Sequence, residues 1–118
     1  MPFIISHVNC SVTKKQEERI KSALGKAIEL VPGKTEAYLM VIFENDSHIW
    51  LRGQDIKAAY IEAKIFGNES HYGYNDFTQA ITKIYNEILN IAPENIYVMY
   101  EDIQTWGVNN LTFEAWRE

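Results

Sequence analysis

The chain has 118 residues, enough for one domain with a core of its own, at a size where oligomerisation adds stability. Hydrophobic residues make up 47% and charged residues 23%, ordinary values for a soluble globular chain that exclude a disordered or fibrous class. The formal net charge is −5 and no cluster of Lys or Arg stands out along the sequence, so neither a nucleic-acid footprint nor a polybasic membrane patch is expected.

Position 2 is proline, directly behind the initiator Met1. Initiator methionine is generally removed ahead of a small side chain, and processing would leave Pro2 as the new terminus, carrying the only secondary amine the standard residues can supply. Such a nitrogen can work as a base. Residues 3–9 then read as a first strand with apolar positions on both faces. Cys10 is the only cysteine, which excludes an intramolecular disulfide, a CxxC pair and a multi-cysteine metal site and fits a reducing compartment. Phe3-Ile4-Ile5 is too short for a signal-peptide core and lacks a basic flank, and no run of about 18 apolar residues exists, so a cytoplasmic location is expected.

Thr13 followed by Gln16 signals a capping box, and Ile20, Leu24, Ala27, Ile28 and Val31 recur at helical spacing until Pro32-Gly33 ends the helix. Residues 38–44 (YLMVIFE) form a near-continuous apolar run that reads as a central, buried strand. Asn45-Asp46-Ser47 is a turn, with a short extra strand expected at 49–51. Residues 59–66 alternate, with Ile61, Ala63 and Ile65 on one face. Ser70 is a candidate helix cap, and Phe77, Ile81, Ile84, Ile88 and Ile91 form one helical stripe that Pro93 stops. Residues 96–101 (IYVMYE) are a further buried strand, followed by a tail over 103–118 containing Trp106, Phe113 and Trp116.

Residues 1–44 and 59–102 therefore each spell βαβ, with a right-handed crossover. One α/β domain over 1–118 is expected, a two-layer sandwich of two pseudo-repeated βαβ units with two helices on one face of a four-stranded mixed sheet. The other face would be bare and too apolar for water, with Met40, Ile42 and Met99 on it, so an oligomer is expected. His7, His48 and His71 have no metal-site spacing, no phosphate loop is present, and Ser70, His71 and Asp76 lack a nucleophile-elbow context. Glu101 and Asp102 are adjacent strand residues that point to opposite faces, which removes them as a paired-carboxylate site.

Met1-Pro2 opening the first strand, Gly33-Lys34 with Tyr38 four residues on, Phe66-Gly67 ending the third strand, Ile96-Tyr97-Val98 in the fourth and Asn109-Asn110-Leu111-Thr112-Phe113 near the end together resemble the macrophage migration inhibitory factor family of the tautomerase superfamily. The resemblance covers nearly the whole chain in order, with a shortened loop between Asp102 and Trp106. It implies a homotrimer with sites at subunit boundaries, no cofactor, and keto–enol tautomerisation of phenylpyruvate-like 2-keto acids with Pro2 as general base and acid. It further implies Lys34 and the backbone N–H of Phe66 as carboxylate donors, Tyr97 reaching in from a neighbouring subunit, and Tyr38, Trp106 and Phe113 as aromatic walls. Met99 stands where animal members commonly carry asparagine, Ala58 and Ile61 replace their CxxC pair, and Val108 and Leu111 replace a tryptophan and a serine; residues 114–118 extend beyond the usual end. Alternatives within the resemblance are a cytokine-like interaction protein, secreted non-classically and acting on a receptor, and a dopachrome tautomerase or decarboxylase-type enzyme acting on a dopachrome-like compound or on malonate semialdehyde, the last with Arg52 as the candidate extra cation.

Overall fold

The protein is described by a computed structural model over residues 1–116; Arg117 and Glu118, the end of the expected tail, lie outside the described residues. Strand β1 (Pro2–Val8) runs through the middle of a four-stranded sheet of order β2-β1-β3-β4, with β2 spanning Met40–Glu44, β3 Ala59–Phe66 and β4 Ile96–Ile103. β1 pairs parallel with β2 and antiparallel with β3, which pairs parallel with β4, so the expected mixed sheet of two βαβ units is present. Helices α1 (Lys14–Ala27) and α2 (Tyr74–Leu89) lie side by side on one face. Among the described residues no helix is long and apolar enough to cross a membrane.

The period of two in β1 and β3 builds the core. Ile4 and Val8 of β1 and Ile61, Ala63 and Ile65 of β3 point at the helices and are sealed against Ile20, Leu24, Phe77 and Ile81. Tyr85 enters this core as well, and its hydroxyl donates to Ser6 Oγ at 2.6 Å, so two buried polar groups satisfy each other. Burial pushes the Tyr85 phenol well above its ordinary range.

The α1 capping box is complete: Thr13 Oγ1 accepts from the Gln16 N–H, and Gln16 Oε1 accepts from the Thr13 N–H. α2 begins differently. Ser70 does not cap it; Gly73 does, at φ +84, where a Cβ would sit 2.1 Å from the Leu30 carbonyl oxygen. Its end also differs from expectation, because Asn90 in the left-handed conformation closes the helix and Pro93 opens a separate 3-10 turn. The buried stripe of α2 is Tyr74, Phe77, Ile81, Tyr85 and Leu89, while Ile84 and Ile88 stay partly exposed at its flank.

Three further expectations are corrected. β2 is an edge strand rather than a central one: Val41 and Phe43 pack on the core while Met40 is 60% exposed, so the continuous apolar run serves two faces. It starts at Met40, because Tyr38 belongs to a 3-10 turn over Glu36–Tyr38. Residues 49–51 form no strand, only one bridge from Leu51 to Gln54. The tail, to which the sequence reading assigns no element, folds into a hairpin of β5 (Thr105–Val108) and β6 (Leu111–Glu114), turned by Asn109 and Asn110, both at positive φ.

The bare sheet face carries charge pairs among its apolar residues. His7 Nε2 lies 2.9 Å from Glu62 Oε2, and Lys64 Nζ donates to Glu101 Oε1 at 3.0 Å. Asp102 points to the helix side, where His71 and the Tyr74 hydroxyl meet its carboxylate, so the two neighbouring acids do face opposite ways. Two of the three histidines are thus paired with acids, and no described group of three His, Cys, Asp or Glu side chains could hold a metal.

Candidate active site

Chain direction brings four segments to one end of the sheet. β1 starts there, with Pro2 buried opposite Ile65 near the end of β3. The turn after α1 arrives with Gly33 and Lys34, where the Lys34 N–H donates to the Val31 carbonyl at 3.1 Å. β3 ends there at Phe66-Gly67, and the β5–β6 hairpin, its base closed by the Ala115 N–H donating to the Gln104 carbonyl at 2.8 Å, brings Val108, Leu111 and Phe113 to the same end.

Between them lies a cleft of about 500 Å³. Met1, Lys34 and Phe66 form its inner end, Tyr38 one wall, and Val108, Leu111 and Phe113 of the hairpin an apolar cover. Among the described residues, Lys34 is the only ionisable side chain on the lining besides the Tyr38 phenol. Its Nζ donates to the Phe66 carbonyl at 2.6 Å, which holds the cation against the strand end. Gly67, the next residue, sits at φ +76, a left-handed conformation that glycine adopts without strain.

The amide of Phe66 points the other way, donating to the Met1 carbonyl at 3.1 Å. The Met1 α-amine is lowered from 8.0 to about 6, by burial first and then by the charge and hydrogen bonding of Lys34. The Met1 amine is therefore mostly neutral at pH 7. Behind Met1 a second depression of about 430 Å³ contains Trp106, Phe3 and Met40, and the Trp106 ring meets Phe66 edge-on at 6.4 Å.

Of the sequence-derived site residues, Pro2, Lys34, Tyr38, Phe66 and Phe113 converge here, and Trp106 stands one layer back. Tyr97 and Met99 do not. Tyr97 pairs with Tyr60, five residues before Ile65, which puts it about 17 Å along the strand from Pro2, and both side chains lie on the bare face. Arg52 is elsewhere too, donating to Asn95 Oδ1 at 2.6 Å beside the start of β4. Sequence reasoning did not assign Gly33, Val108, Asn109 and Leu111 to the lining; the Asn-Asn turn signal between two apolar pairs was the cue for a hairpin that would bring the last three there.

A terminal strand between one parallel and one antiparallel partner, two helices on one face and a lysine beside the buried Pro2 are the features of the tautomerase fold. Neither a protein-family model nor a curated protein sequence matches the chain. Solved structures do. MIF2 of Leishmania major is 26% identical, with 96% of this chain and 97% of that one covered at a TM-score of 0.89. Pt0534, solved after inactivation by 2-oxo-3-pentynoate, is 13% identical over 96% and 95% of the two chains at 0.81, and a fused 4-OT, solved as an asymmetric trimer, is 12% identical over 96% and 95% at 0.80. The chain resembles the macrophage migration inhibitory factor family, within the tautomerase superfamily, in fold as it does in sequence.

Proposed function

We propose that the protein is a cofactor-independent keto–enol tautomerase of phenylpyruvate-like 2-keto acids, acting through Pro2 once Met1 is removed. The observation that carries this reading is the convergence of Lys34 and the Phe66 N–H on Met1 at the inner end of the cleft. Loss of Met1 frees the Phe66 N–H from its acceptor and exposes the Pro2 nitrogen to the same burial and the same cation that depress the Met1 amine. One neutral amine, one fixed positive charge and one backbone donor then share a site.

A 2-keto acid docks its carboxylate on Lys34 and the Phe66 N–H, with its side chain under Val108, Leu111 and Phe113. Pro2 takes a proton from C3; the C–H pair becomes the C2=C3 double bond, and the carbonyl oxygen takes a proton back from the Pro2 ammonium. The reverse order ketonises the enol, and nothing is consumed. Holding both partners in place supplies much of the rate.

The exposed aromatics on the bare face, with Tyr97 54% exposed, support a homotrimer in which Tyr97 and Met99 enter the cleft of a neighbouring copy. The solved trimer of the fused 4-OT accords with that arrangement. The decisive experiment measures ultraviolet phenylpyruvate ketonisation by wild type and Pro2→Gly, after intact mass has established loss of Met1. A rate in the wild type that vanishes in the variant is expected; equal rates would remove Pro2 from the mechanism. Size-exclusion chromatography with light scattering should return three times the chain mass, and a monomer would sink the shared site.

A further inference from the structure

Cations that are dispersed along the sequence come together on the outer surface of α1. This helix holds five of the chain's 11 Lys and Arg against two Glu, a local charge of +3 that leaves the other 104 residues at −8. Lys15, Arg19 and Lys26 follow one another by four and seven residues, spacings that place them on one face. All three are exposed, and among the described residues none of them is in an ion pair. The sequence reading saw no basic cluster because helical periodicity, not adjacency, assembles this one.

The stripe forms one lip of a groove of about 540 Å³ between α1 and α2. Ala23, Ile84 and Ile88, all only partly buried, are its floor. Two carboxylates also line the groove, Glu18 on α1 and Glu87 on the opposite lip, the latter with Lys83 within 4.0 Å, so against Lys15, Arg19 and Lys26 the rim stays net positive. The two isoleucines that fell outside the buried stripe of α2 therefore have an apolar position with nothing packed over it.

We propose that this groove docks an acidic, amphipathic helical segment of a partner protein. Two apolar side chains one turn apart would cover Ala23, Ile84 and Ile88, and carboxylates would sit over Lys15, Arg19 and Lys26. Lys15 to Lys26 spans about 17 Å, some three turns of a partner helix. Charge complementarity selects this occupant. A nucleic-acid backbone or an anionic lipid surface brings negative charge without discrete apolar side chains for the floor, and either would meet a chain that is −8 outside α1.

The test uses the full chain and a fluorescein-labelled helical peptide with two Leu four residues apart and Glu at spacings of four and seven. Its partner is the same peptide with every Glu changed to Lys. Two double variants carry the same charge change: Lys15→Glu with Arg19→Glu on the stripe, and Lys14→Glu with Lys21→Glu on another side of the same helix. Anisotropy should show the acidic peptide binding with a micromolar Kd, weakened at least about tenfold by the stripe variant and less than about twofold by the other, each tenfold being about 1.4 kcal/mol. The Lys peptide should not bind. Equal losses in the two variants, equal binding of both peptides, or no binding at millimolar peptide would overturn the proposal. So would stripe-dependent capture by phosphatidylserine vesicles without peptide binding, or a change in oligomeric mass caused by the stripe variant alone.

Discussion

The two βαβ halves of the molecule match in order and direction but not in chemistry. After α1 the chain reads Val31-Pro32-Gly33-Lys34, and after α2 it reads Ile91-Ala92-Pro93-Glu94: an apolar anchor, a proline-containing turn, then a cation in one case and an acid in the other. Val31 and Ile91 are both fully buried, so the two turns are anchored in the same way. Only the first half starts at the chain terminus and only it puts a cation beside a buried amine. In the second half the Glu94 carbonyl and Asn95 merely receive Arg52. Duplicating a fold does not duplicate a site; the proposed mechanism calls for a terminal amine and a positive charge at one place.

Removing the chain-end chemistry should make the largest difference between the halves. Pro2→Gly is expected to lower phenylpyruvate turnover by about 10²–10⁴-fold, the range for loss of a positioned acid–base group, with unchanged circular dichroism. Lys34→Ala makes the first half resemble the second in lacking the cation. We expect kcat/KM to fall on the order of 10–100-fold, mainly through KM, as a charged hydrogen bond is lost. The proposed mechanism uses the neutral amine, so the rate is expected to rise with pH through the Pro2 pKa. Because Lys34 helps to depress the neighbouring amine, its removal should shift that rising limb to higher pH. A limb that stays in place or moves down would separate Lys34 from the amine.

The helix starts sharpen the same comparison through stability. Gly73→Ala forces a Cβ against the Leu30 carbonyl at a left-handed position and should cost about 2–3 kcal/mol, measured by urea unfolding. Thr13→Ala removes a side-chain cap from an otherwise regular start and should cost about 1 kcal/mol. If the order of these two reversed, Gly73 would not be the strained position the backbone shows.

Several of these features were legible without coordinates because they are local. The Thr13 capping box and the alternation in β3 depend on residues within a few positions of each other, and both appear where expected; α1 itself stops earlier than Pro32-Gly33, at Ala27, with a 3-10 turn over Ile28–Leu30 between. Lys34, Tyr38 and Phe66 were legible as a group only through their joint order, since a Gly-Lys pair or a strand-end aromatic has no meaning by itself. What escaped was non-local. An apolar run cannot say whether its strand is central or at an edge, and 38–44 was therefore read as central when β1 holds that place. Gly73, 42 residues from Val31 in sequence, starts α2 because the chain around Leu30 passes too close for any side chain.

The sequence by itself determined two repeated units, a core made by periods of two and 3.6, and a proline positioned to become an amine terminus. Tertiary structure decided which ends of those units meet. It folded the tail hairpin over the cleft, set the terminal amine where its burial and then the nearby Lys34 charge lower it to about 6, and kept Tyr97 at the far end of the sheet. Desolvation and Coulomb interaction depend on distance in space, and no spacing along the chain encodes that distance.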